Sequence, residues 1–212
     1  DMVAGTRHVT NKSGELEVVE YLDAYNVRVR FIDTGFEIAT QASSIRSGEV
    51  KDKLRPSVFG IGYLGDGEFK TWANYGRTKE YVAWQNMLQR CYDPKCHVKR
   101  PTYIGCSVCA EWHNFQNFAK WMSKQNCEGK QLDKDIKVEG NKVYSPETCM
   151  FVTPAENSIE ANAKQYAFVS PSGVVTDVYN LSEFCRENGL DQGNMSNVHA
   201  GKLKQHKGWV SA

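Results

Sequence analysis

The sequence predicts an α+β fold in three parts, and three observations carry that expectation. Near the N-terminus apolar and charged residues alternate with a period of two. In the middle, two segments repeat apolar residues at helical spacing. Toward the C-terminus a strand pair precedes two capped helical segments. The expected organisation is a small β domain over residues 1–65, a unit of two strands and a helix with flanking helices over 66–164, and a β-hairpin plus helix-turn-helix module over 165–212.

The 212 residues exceed what one small domain requires, and 41% hydrophobic with 24% charged residues is the composition of a soluble globular chain. No apolar run approaches the roughly 20 residues of a membrane span, and no signal-peptide core is visible, so a cytoplasmic protein without membrane contact is expected. Lys and Arg total 26 against 25 Asp and Glu, so no overall positive field announces nucleic acid, although a local basic patch is compatible with such totals. The 7 cysteines are an odd number and are read as free thiols or metal ligands.

In NVRVRFIDTGFEIAT, Val27, Val29 and Phe31 alternate with Asn26, Arg28 and Arg30, the pattern of a half-buried strand. Asp33-Thr34-Gly35 is a plausible turn into the next strand. A small SH3-like barrel is the expected form. Arg28 and Arg30 share the exposed face, where they either contact phosphates or belong to a solvated surface. The Gly-rich FGIGYLGDGEF lacks the Lys-Ser/Thr of a phosphate loop and reads as linker or turns.

TKEYVAWQNMLQRCY predicts a helix capped by Thr78, with Tyr81, Trp84, Leu88 and Cys91 on one stripe. EWHNFQNFAKWM predicts another, with Trp112, Phe115, Ala119 and Met122 facing a core. Cys91, Cys96, Cys106 and Cys109, spaced C-x4-C-x9-C-x2-C, form either a structural zinc site, with His97 and His113 as further ligands, or a set of buried small hydrophobes.

Near the C-terminus, YAFVSPSGVVTDVY predicts a hairpin around Pro171-Ser172-Gly173. NLSEFCRENGL predicts a helix with Asn180 as N-cap, Leu181, Phe184 and Cys185 inward and Gly189 as its stop. Asp191 caps a following helix that ends at Gly201, giving a helix-turn-helix candidate. Gln192, Asn194 and Asn197 at the start of its second helix suit bidentate contacts to adenine in a major groove. Lys202, Lys204 and Lys207 follow as phosphate-neutralising cations, with Arg28 and Arg30.

The segment LDKDIKVEGNKVYSPETCMFVTPAEN remains. QLDKDI and CMFVT predict a strand pair, and Thr153-Pro154-Ala155-Glu156 is a capping box with Pro at N1, so a helix begins there. The segment resembles the ββα-metal unit of HNH (His-Me finger) endonucleases, in particular the phage-encoded free-standing and homing type. PTYIGCSVCAEWHNFQNFAKWM resembles the segment preceding that unit, and NLSEFCRENGLDQGNMSNVHAGKLKQHKGW resembles the DNA-binding repeat module of intron-encoded nucleases. The resemblance covers roughly Tyr75 to Trp209.

The resemblance implies a monomeric, site-specific endonuclease or nickase acting on double-stranded DNA with Mg²⁺ or Mn²⁺, in the cytoplasm of a phage-infected bacterium. Asp133 matches the metal-binding Asp and Asn157 the ligand on the helix. Asn141, or the SPETC turn near Thr148, stands where the loop residue belongs. Lys134 departs from the pattern, since the general base there is His and a lysine is protonated near pH 7. Three outcomes stay open. Lys134 stabilises phosphate charge while water or another residue, with His113 the candidate, acts as base; or activity is reduced to weak nicking; or the chain is a sequence-specific DNA-binding protein, a repressor or interference factor without catalysis. Without the resemblance, Asp133-Lys134-Asp135 reads as surface ion pairs on a solvated hairpin, and the cysteines as the staple of a protein-interaction module.

Overall fold

A computed structural model describes residues 2–135, 137, 140–156 and 166–212. The chain is mixed α and β and divides into two compact units. One joins Asp1–Glu128 with Leu132–Phe151; the other joins Gly129–Gln131 with Val152–Ala212.

In the first unit, strands β1 (Arg7–Val9), β2 (Glu15–Asp23), β3 (Asn26–Phe31) and β4 (Glu37–Thr40) form an antiparallel meander in the order β1-β2-β3-β4. The period-two pattern is realised directly, for Val27, Val29 and Phe31 are buried while Arg28 and Arg30 face out. Gly35 at φ 73° makes the turn into β4. The short helix α1 (Ala42–Arg46) closes the sheet's apolar face with Ala42 and Ile45. The four strands form one sheet in simple sequential order.

A second core in the same unit is built by α2 (Lys79–Tyr92) and α4 (Phe115–Met122). The Thr78 hydroxyl accepts the Tyr81 N–H, as its position predicts. Trp84, Leu88 and Cys91 are buried with Met87, and Tyr81 is half-buried beside them. EWHNFQNFAKWM is not one helix, because Ala110–His113 forms a 3-10 turn and Asn114 caps a new start by accepting the Gln116 N–H. That break seats Trp112 on both Phe118 and Trp121, at centroid distances of 5.1 and 4.7 Å. Between these helices lies α3 (Pro94–Lys99).

The Gly-rich segment is a packed element of this core. Val58, Phe59, Ile61 and Leu64 lie against it, and the Tyr63 N–H donates to the His113 carbonyl at 2.9 Å. Glycine is required at Gly62, where a Cβ would stand 2.4 Å from Leu88 Cδ1 and 2.9 Å from the Trp84 ring. Helix packing, not loop freedom, explains that glycine.

In the second unit β11 (Tyr166–Val169) and β12 (Val175–Val178) form the expected hairpin, with Gly173 at φ 85°. Helices α5 (Leu181–Glu187) and α6 (Gln192–His199) follow, capped by Asn180 and Asp191, whose side chains accept the Glu183 and Asn194 N–H groups. Phe168, Val178, Leu181, Cys185, Met195 and Val198 form the core, and Phe184 packs edge-on against Trp209 at 5.1 Å. The tail is not a free basic arm, since β13 (Val210–Ser211) returns to pair with β11.

Gly62→Ala is expected to destabilise the chain by roughly 1–3 kcal/mol, because a methyl there overpacks a fully buried ring. A thermal melt with no loss for that variant would contradict the packing described for the Gly-rich segment.

Candidate functional site

Strand β8 (Gln131–Asp133) pairs with β10 (Met150–Val152), and β9 (Val143–Tyr144) lies within the connection between them. The predicted strand pair is present. Its long connection is braced from outside, since β9 adds in parallel to β7 (Ser107–Val108). The sequence held no signal for that bridge, because two-residue strands have no periodicity to read.

Leu132 and Phe151 anchor the ribbon in the aromatic core, which leaves Asp133 at the rim, half-buried. The Asp133 Oδ1 accepts the Asp135 N–H at 2.7 Å, a local turn that fixes the carboxylate's orientation. Asn141 spans the connection, as its Nδ2 donates to the Lys134 carbonyl at 3.0 Å and the Val143 carbonyl at 2.7 Å. Its Oδ1 accepts the Val143 N–H at 3.2 Å. Of the two loop positions open in the sequence, Asn141 holds the strand end that bears Asp133. Thr148 instead closes its own turn, donating to the Val143 carbonyl at 2.8 Å.

Lys134 is 5% exposed, which neither a solvated hairpin nor a phosphate ligand requires. Its Nζ donates to Asp135 Oδ1 at 2.6 Å and to the Asn141 carbonyl at 2.8 Å, and lies 5.9 Å from the Tyr144 ring centre. An ammonium removed from water must find such acceptors. So placed, it forms an ion pair with Asp135 inside the loop, with its own ammonium withdrawn from solvent.

His113 is similarly occupied. Its Nε2 lies 3.0 Å from the Val108 carbonyl, and a carbonyl offers no proton, so Nε2 carries the hydrogen and donates it. That nitrogen is not a base. Asn157, the expected helix ligand, lies outside the described residues. The start of its helix is described: the Thr153 N–H and hydroxyl both donate to Glu156 Oε2, at 2.7 and 2.9 Å, and the Glu156 N–H donates back to Thr153 Oγ1 at 3.2 Å. The capping box read from the sequence is formed, with Pro154–Glu156 helical. These bonds from Thr153, backbone first, hold the Glu156 carboxyl below its ordinary range.

Among the described residues no group of three or more His, Cys, Asp or Glu side chains is gathered as an ion requires. Cys91 lies on the buried stripe of α2 and Cys106 in the same core, while Cys96 and Cys109 are half-buried. Burial pushes the Cys91 thiol up to about 12 and that of Cys149, which the spacing did not single out, up to about 11. They behave as small hydrophobes, the second of the two readings. His97 turns its Nε2 to the Arg90 carbonyl at 2.8 Å, a helix-terminating role.

The DNA-reading candidates divide. Gln192, Asn194 and Asn197 are exposed on α6, opposite the buried Met195 and Val198. Lys202 and Lys204 are exposed beyond it. Lys207 is exposed but donates from Nζ to the Gly189 carbonyl at 2.7 Å, tying the tail to the turn between α5 and α6. Arg28 and Arg30 pair with Glu20 at 3.3 Å and Glu37 at 2.6 Å across the sheet, so that face is a balanced, solvated one.

No family model matches the chain, and no curated protein matches it. Among solved structures, one that concerns DNA binding and cleavage by the HNH homing endonuclease I-HmuI is similar, at 21% identity over 41% of this chain and with a TM-score of 0.24. The match spans 59% of that chain. A TM-score of that size does not establish a shared fold.

The capping box gives a pH-dependent expectation. A carboxyl whose folded value is depressed stabilises the folded state fully above its unfolded value, ordinarily 4.5, and loses that contribution as pH falls through the folded value. The Thr153 and Glu156 amide resonances should therefore shift together on acidification below the ordinary carboxyl range, and should stay put in Glu156→Gln. Asn141→Ala is expected to cost about 1 kcal/mol through the lost hydrogen bonds to the Lys134 and Val143 backbone, read by denaturant unfolding.

Proposed function

We propose that the chain is a divalent-metal-dependent DNA endonuclease or nickase of the HNH homing type, with a C-terminal helix-turn-helix that reads duplex DNA. The observation that carries this reading is the Asn141 clasp. A carboxamide from the loop, bonded to the Lys134 and Val143 carbonyls, holds in place the strand end on which Asp133 sits. A metal site needs that rigidity, because a carboxylate ligand on a long connection would otherwise spread over many positions.

The donor set suits a hard cation. Asp133 offers carboxylate oxygen and Asn157 carboxamide oxygen, and Mg²⁺ or Mn²⁺ takes such ligands while keeping several waters. When bound, the ion would polarise a phosphoryl oxygen and lower the pKa of a coordinated water. The protein's own residues orient Asp133, through the Asp135 amide, and hold the loop. The exposed Gln192, Asn194 and Asn197 offer amide groups suited to adenine edges, and Lys202 and Lys204 offer charge to phosphates. One copy of the chain carries both the Asp133 ribbon and the reading helix, which supports action as a monomer on double-stranded DNA. The resemblance to phage-encoded enzymes supports action in the cytoplasm of an infected bacterium.

One observation favours a second reading, a DNA-binding descendant acting as a repressor or interference factor. Lys134 stands where the family has its base, and its ammonium is buried and bonded to Asp135 and Asn141. His113 supplies no free Nε2 in its stead.

Incubation of plasmid and phage genomic DNA with the protein and Mg²⁺ or Mn²⁺ separates the two. The nuclease reading expects metal-dependent nicks or breaks, reduced about 100-fold or more in Asp133→Ala while DNA affinity is kept. Indistinguishable products from the two proteins would leave only the binder. Lys134→His is expected to raise the cleavage rate by about tenfold or more, since a positioned general base contributes roughly 10²–10⁴. No gain from that change would mean that the missing histidine is not what limits the site.

A further inference from the structure

Asp133 stands between two residues whose carbonyls are both held by side chains from other parts of the chain. On one side the Lys134 carbonyl accepts a hydrogen bond from Asn141 Nδ2 at 3.0 Å. On the other, Arg90 of α2, 42 residues away in sequence, donates from Nη1 to the Leu132 carbonyl at 3.4 Å. The parallel extends to β9, where Asn141 bonds the Val143 carbonyl and the Arg90 guanidinium donates to the neighbouring Tyr144 hydroxyl. Burial holds the Tyr144 phenol above its ordinary range, so it accepts as a neutral hydroxyl.

A brace works only from a rigid base, and α2 is fixed at both ends. Its start follows the ribbon of β5 (Trp72–Ala73) and β6 (Gly76–Arg77), beyond which the Thr78 hydroxyl donates to the Lys70 carbonyl at 2.8 Å. At its end His97 Nε2 donates to the Arg90 backbone carbonyl at 2.8 Å. Trp84, Met87, Leu88 and Cys91 bury the inner face of the helix, which locks its rotation. The Arg90 side chain is half-buried, with its guanidinium 5.7 Å from the centre of the Tyr103 ring. A planar group with five donors serves a carbonyl, a hydroxyl and a ring face at once, whereas a lysine ammonium has no such fork. All three contacts are with neutral groups, so geometry rather than charge pairing places this arginine.

We infer that Arg90 is a positioning residue for the divalent cation at Asp133: by holding the Leu132 carbonyl and Tyr144, it fixes the end of β8 so that the Asp133 carboxylate is aimed at the ion. The inference rests on the proposed metal role of Asp133, and it adds to the Asn141 clasp a second brace from a different element. Groups that orient a metal ligand from behind govern metal affinity by about 10–100-fold, because a ligand must be held to within about half an ångström. The sign of the effect separates bracing from electrostatics. A guanidinium close to a cation repels it, so if its charge dominated, removing that charge would tighten metal binding. Loss of a brace weakens binding whether the charge is kept or removed.

The test titrates the full chain with Mn²⁺ in the absence of DNA and counts the free ion by electron paramagnetic resonance. Asp133→Ala shows how much of the binding belongs to the proposed site. Arg90→Lys, which keeps the charge, and Arg90→Gln, which removes it, should each weaken that binding by about tenfold. Gly62→Ala, which loosens the same core at a distance from the ribbon, is the control for lost stability and should leave Mn²⁺ affinity unchanged. If Asp133→Ala abolishes binding while either Arg90 variant binds like the unaltered chain, or Arg90→Gln binds more tightly, the metal site stands and the brace is overturned. Weakening by Gly62→Ala equal to that of the Arg90 variants overturns it too, since general destabilisation then accounts for the loss. If the unaltered chain and Asp133→Ala bind Mn²⁺ alike, the metal role of Asp133 and the brace fall together.

Discussion

Lys134 and Asn141 hold each other reciprocally, and the candidate catalytic region depends on that clasp. The Lys134 ammonium donates to the Asn141 carbonyl, and the Asn141 carboxamide donates back to the Lys134 carbonyl. A long connection between two short strands has little order of its own, because each residue fixed costs about 1–2 kcal/mol of backbone entropy. Hydrogen bonds to a charged donor contribute roughly 1.5–3 kcal/mol each and become costly to break once the charge is buried. The clasp, with β9 on β7, therefore defines where Asp133 stands.

The same clasp explains why the site is chemically ambiguous. A histidine at position 134 could present a neutral nitrogen to water. A lysine there solves a structural problem, as it carries charge into the loop and is satisfied by Asp135 and a carbonyl. Under the nuclease proposal, Asp133 and the helix start at Thr153 would serve a metal, while the bonded Lys134 and His113 Nε2 offer no base.

Elsewhere, exposed polar side chains differ in whether the fold supplies them with partners. Arg28 and Arg30 face glutamates across neighbouring strands, so their charge is spent within the sheet. The exposed amides of α6 lie opposite its buried Met195 and Val198, on a helix whose start is capped by Asp191. Rigid display of polar or aromatic groups lowers the ordering cost of binding.

Much of the fold was legible in the sequence because its signals are local. Alternation in Asn26–Phe31, the caps at Thr78, Asn180 and Asp191, the Gly189 stop and the Thr153 box each depend on residues within a turn or two, and each is formed. The misreadings all involve distant partners. The Gly-rich segment passed for a linker since its neighbours, Trp84 and Leu88, come from a later helix. Cysteine spacing left zinc ligation and burial both open, since it does not reveal that Cys91 and Cys106 pack in an aromatic core. The bonds from Asn141 to the Lys134 and Val143 carbonyls had no sequence signal, and Lys134 looked solvent-facing although the loop closes over it. Local sequence determines backbone propensity and capping through contacts a few residues apart; tertiary structure alone decides which charge is buried, because burial depends on what the rest of the chain brings to that place.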